Sequence, residues 1–85
     1  MSDELKNLKK KLIYRASYRG TKEMDILLSN FVNKYINQLD IKLLNELEIF
    51  LKYEDDEILN FYNHGVVKTN IDKNEISGLF KKYKI

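Results

Sequence analysis

Apolar residues recur every three or four positions from Leu5 to Tyr83, and no proline interrupts them. That spacing sets successive apolar side chains on one face of an α-helix, so the chain must pack helices on one another to bury them. Leu5, Leu8 and Leu12 stripe a first helix, expected from about Ser2, a candidate N-cap, to Tyr18, with Gly20 just past its end. Thr21 is placed to cap a second helix, whose broad stripe of Met24, Leu27, Leu28, Phe31, Val32 and Tyr35 suits a central buried element. Asp40 is the expected cap of a third helix, with Leu44, Leu47 and Leu51 facing inward and Ile41 and Phe50 at the margins.

A fourth helix opens at Glu54 or Asp55, carries Ile58, Phe61 and Tyr62, and ends near Gly65. Val66 and Val67 have no second strand to pair with and are expected in a buried loop. Asp72-Lys73-Asn74-Glu75 reads as the aspartate form of a capping box before a fifth helix striped by Ile76, Leu79, Phe80 and Tyr83. Gly78 inside that helix implies close packing or a frayed end. The expected architecture is all-α, a compact bundle of about five helices forming one domain over residues 1–85.

Composition narrows the function. The absence of cysteine removes disulfides, thiolate metal sites and thiol nucleophiles, and fits a reducing compartment. No apolar run approaches the roughly 20 residues of a membrane span, so no membrane insertion is expected. No secretory or transit segment is evident at the N-terminus, which favours the bacterial cytoplasm. Charge is segregated. Residues 1–22 carry seven basic and two acidic groups, residues 23–57 three and nine, and residues 58–85 five and two. The acidic middle argues against a nucleic-acid partner, although Lys9-Lys10-Lys11 and the C-terminal Lys81, Lys82 and Lys84 would be its basic contacts.

Catalytic patterns are missing, so the chain is not expected to be an enzyme. His64 stands alone with no second histidine or cysteine to complete a metal site. Ser17, Ser29 and Ser77 have no local base. Glu54-Asp55-Asp56-Glu57 lacks the alternation and glycine of a calcium loop and is explained by helix capping. Most aromatics fall on inward stripes, but Tyr14 and Tyr18 are four apart, and at least one must face outward.

The two arginines stand out in a chain with thirteen lysines. Arginine persists where a planar fork of donors is needed. Arg15 and Arg19 are four apart and would share a helix face, with Gly20 next and with Glu23 and Asp25 close behind. Capping chemistry accounts for Gly20, Thr21 and Glu23 but does not call for two arginines.

The segment Arg19-Gly20-Thr21-Lys22-Glu23-Met24-Asp25 resembles the Arg-Gly-x-x-Glu-x-Asp motif of the SdhE family, small factors for covalent FAD attachment to succinate dehydrogenase. The likeness extends over roughly residues 8–65, through Leu12, Arg15 and Ser17 upstream and Phe31, Leu44, Glu48, Leu51, Asp55 and Phe61 downstream. The resemblance implies a binding protein that docks on the flavoprotein subunit of succinate dehydrogenase, with the fumarate reductase flavoprotein as a candidate second client. It points to Arg15, Arg19, Gly20, Glu23 and Asp25 as partner-binding residues, and Tyr18, an outward aromatic where the family often has a second arginine, joins them in the expected set. Glu23 would reach into the partner, while the arginines orient the loop or pair with partner carboxylates. The flavin bond would form to a histidine of the partner. With no dinucleotide-binding glycine loop, this chain is expected to hold no FAD tightly and to act on FAD held by its partner. Two rival readings are an antitoxin-like regulator of a small membrane toxin and a small nucleic-acid binder.

Overall fold

A computed structural model describes residues 3–67 and 70–83 of the chain. Five α-helices follow in order: α1 (Asp3–Ser17), α2 (Lys22–Tyr35), α3 (Ile41–Phe50), α4 (Asp55–His64) and α5 (Glu75–Lys82), with 3₁₀ turns at Ile36–Gln38 and Ile71–Lys73. The expected all-α bundle of five helices is what forms. The expected cap at Ser2 lies outside the described residues, as does Lys84.

Local chemistry sets the helix starts. The Thr21 hydroxyl accepts from the Met24 N–H at 3.3 Å, and the Asp40 carboxylate accepts from the Leu43 N–H at 2.9 Å, each closing an orphan donor of the first turn. Glu54 precedes α4, and the Glu57 carboxylate reaches back to accept from its N–H at 3.3 Å. Gly65 ends α4 in the left-handed conformation, φ +69°.

The fifth helix begins differently from the expected box. The chain first makes the 3₁₀ turn, which buries Ile71, and the cap passes from Asp72 to Asn74. The Asn74 side chain accepts from the Ile76 N–H at 2.8 Å and donates to the Glu46 carbonyl at 2.8 Å, fastening α5 to α3.

The core is centred on α2, with Phe31 against Phe80 at 4.9 Å and Tyr83 at 5.4 Å between ring centroids. Phe50 is fully buried rather than marginal, its ring 5.3 Å from Phe80. The reason is that α3 packs on both α1 and α5, so its inward arc is wider than one stripe, and Ile41 and Ile49 are left outside. Val66 and Val67 are exposed, not buried, because the left-handed turn at Gly65 carries the chain away from the core. Gly78 is also exposed, in the middle of α5, and a Cβ there would meet nothing within 4 Å. No close packing explains it. Gly78→Ala is therefore expected to stabilise the domain by about 1 kcal/mol, raising its melting temperature by roughly 4–8 °C, which a circular-dichroism melt checks.

Candidate functional site

The junction between α1 and α2 holds the residues singled out in the sequence, and it disposes them in different directions. α1 stops at Ser17 rather than Tyr18, so Arg19 has already left the helix and shares no face with Arg15. The two arginines diverge. Arg15 stays on the surface of α1, 3.6 Å from the Glu48 carboxylate, which also takes a 2.8 Å bond from Lys11. The Glu48 carboxyl titrates below the ordinary carboxylate value because of the Lys11 hydrogen bond, with burial opposing and the charges of Lys11, Lys52 and Arg15 reinforcing.

Arg19 turns inward, its side chain only 10% exposed. Nε donates to Asp55 at 2.8 Å, one terminal nitrogen donates to the Leu51 carbonyl, and the other donates to the Tyr53 carbonyl at 2.9 Å. The fork thus satisfies two carbonyls of the α3–α4 connection and the first carboxylate of α4 together. Lysine, with one nitrogen, cannot match that geometry. The Arg19 N–H in turn donates to the Asp25 carboxylate, so the junction is tied to the first turn of α2 as well. One residue therefore clamps the α1–α2 and α3–α4 connections to each other.

What the clamp holds is an exposed edge. Gly20 has φ +121°, an angle that L side chains rarely adopt, and no atom lies within 4 Å of where a Cβ would stand. Its open side faces outward. Glu23 is exposed one turn further on, and among the described residues its carboxylate takes part in no hydrogen bond or ion pair. Its charge is favoured by the N-terminal end of α2. Tyr18 is 70% exposed and Tyr14 65%, with their rings 4.7 Å apart, so both tyrosines face outward. Tyr18 and Arg19 also line a polar cleft of about 520 Å³ between the two connections.

Of the six expected site residues, Tyr18, Gly20 and Glu23 form the outward edge, Arg19 and Asp25 lie behind it, and Arg15 stands apart on the α1 surface. Asp55 was missed as part of this site because helix capping already accounted for it. The usable signal was a run of four carboxylates, more than one helix start requires, in a chain whose arginines need a carboxylate partner. Two lysines of the basic run are engaged within the chain, Lys11 by Glu48 and Lys9 by the Asn37 side chain at 3.5 Å. Among the described residues no group of three or more potential ligands is disposed to hold a metal, and no helix is long and apolar enough to cross a membrane.

Residues 10–84 match the family described as the flavinator of succinate dehydrogenase. The chain is 34% identical over 58 residues to the mitochondrial succinate dehydrogenase assembly factor 2 of Dictyostelium discoideum, a match covering 68% of this chain and 41% of that protein. It is 35% identical over 54 residues to the protein of the same name from Schizosaccharomyces japonicus, covering 64% of this chain and 38% of that protein. The matched region is thus less than half the length of either relative. No solved structure matches.

Proposed function

We propose, from the premise that this chain belongs to the family of the flavinator of succinate dehydrogenase, that it is a non-catalytic assembly factor promoting covalent attachment of FAD to the flavoprotein subunit. The observation that carries the reading is the rigid outward edge, Gly20 with an open face and Glu23 unengaged, backed by the Arg19 clamp. A surface held so firmly in a small domain suits docking without reorganisation. Glu23 and Tyr18 meet the partner. Arg19 and Asp25 act behind them by fixing the loop, and Arg15 adds a charge at the rim.

The flavin bond forms within the partner, between its histidine and the FAD it holds. This chain supplies no acid, base or nucleophile to that step. Its contribution is preferential binding to the partner conformation in which the reacting atoms are aligned. Raising that population a hundredfold requires about 2.7 kcal/mol of differential affinity, well within the reach of a standard interface. The fumarate reductase flavoprotein is a second client under the same logic. The compartment proposed is the bacterial cytoplasm, which a cysteine-free chain suits, although the two eukaryotic relatives are named as mitochondrial.

The test is covalent flavin on the acid-precipitated, denatured flavoprotein, read by fluorescence. Loss of this chain is expected to deplete it. Glu23→Ala is expected to slow attachment at least about tenfold, the loss of one central interface contact, with helix content unchanged. Normal covalent flavin without this chain would sink the proposal.

A further inference from the structure

The outward edge leads into a trough that the clamp and the junction do not account for. Residues at the start of α2 face the start of α4 across one cavity of about 320 Å³, bordered by Thr21, Glu23, Met24, Asp55, Asp56 and Leu59. One turn on, Ile26 and Leu27 face Leu59, Tyr62 and Asn63 across a second, of about 340 Å³. Glu23 and Leu59 border both, so the two are one continuous trough beginning at the junction. α2 and α4 do not close on each other along this stretch, and the lining they share is mainly apolar, with Ile26 left 46% exposed.

Its chemistry is polarised. The positive ends of both helices point toward the junction, but carboxylates already occupy them. Asp55 is paired with Arg19, whereas Glu23 and Asp56 enter no ion pair among the described residues, and no lysine or arginine borders either cavity. An incoming group that meets this end must be cationic, and one that meets the other end must be apolar. The trough follows α4 from Asp55 to Asn63, about 12 Å at 1.5 Å per residue, and an extended chain covers that in about four residues.

We infer that this trough seats a short extended segment of the flavoprotein partner, an apolar side chain over Leu59 and a lysine or arginine against Glu23 and Asp56. The inference rests on the proposed function. It adds a second contact, continuous with the Gly20–Glu23 edge, and gives Glu23 a defined counter-charge.

The experiment places a photo-crosslinking amino acid at Ile26, in the trough, or at Lys22, beside the junction, in the full chain mixed with the isolated succinate dehydrogenase flavoprotein subunit. Both positions are expected to cross-link to the flavoprotein. The segment captured from Ile26 should hold a lysine or arginine within a few residues of an aliphatic or aromatic one. Ile26→Asp and Asp56→Lys should each weaken binding about tenfold or more while the helix content stays the same. Cross-linking from Lys22 with none from Ile26, or unchanged binding in both variants, overturns the trough and leaves the function standing. Silence at both positions removes the function and the trough with it. A captured segment without a cation, or capture of a second copy of this chain from Ile26, also overturns the assignment.

Discussion

Arg19→Ala lowers the melting temperature by about 10–20 °C, the equivalent of about 2–3 kcal/mol in a domain of this size. The guanidinium makes hydrogen bonds to Asp55 and to the Leu51 and Tyr53 carbonyls, all lost in the variant, whereas the backbone N–H of Arg19 keeps its bond to Asp25. Removing one partner of a buried pair costs about 3–5 kcal/mol where the other charge stays desolvated. Here Asp55 keeps 29% of its side-chain surface and sits at a helix N-terminus, and the two carbonyls border a cleft that water can enter, so the smaller figure holds. Arg19→Lys should lose about half as much, because one ammonium cannot serve acceptors arranged around a planar fork. Circular-dichroism melts of both variants decide the matter. An alanine variant that melts within a degree or two of the parent would mean that the guanidinium is not a clamp and is free for the partner.

That clamp marks the boundary of what the sequence discloses. Helix identity was legible because it depends on residues three and four apart, and Thr21 and Asp40 could be recognised as caps because a cap bonds within its own turn. Two of the corrections have another cause: Phe50 is buried and Asn74 displaces Asp72 as the cap, each through contact with a segment distant in the chain, while Val66 and Val67 are exposed because the turn at Gly65 leaves the core. Asn74 is a cap because the Glu46 carbonyl, 28 residues earlier, receives its amide.

The site divides in the same way. Gly20 and Glu23 were readable from their own stretch of chain, where a glycine follows a helix and an acid opens the next. The roles of the arginines were not. Periodicity put Arg15 and Arg19 on one face, but the helix ends at Ser17, and a partner 36 residues away decides where Arg19 points. The excess of lysine over arginine correctly flagged a geometric demand. It could not say whether the fork served another molecule or the chain itself.

Gly20→Arg is expected to return flavin attachment to the level seen without this chain, while the helices persist. Two effects separate at this position. The backbone angle of +121° is unfavourable to any L residue, which costs about 1–3 kcal/mol of local strain. Yet nothing in the chain lies within 4 Å of the new Cβ, so the side chain meets no internal clash and projects from the outward edge. Gly20→Ala isolates the strain. It should lower the melting temperature to a similar degree while retaining much of the binding, because a methyl group adds little bulk at the surface. Arginine adds to the same strain a long cation where the flavoprotein must approach closely, beside a Glu23 whose carboxylate it can capture. The comparison needs the two melts and the two rates of covalent flavin formation. Equal loss of activity in both variants would place the defect in the backbone of the loop, whereas full activity in Gly20→Arg would move the docking surface away from the α1–α2 junction altogether.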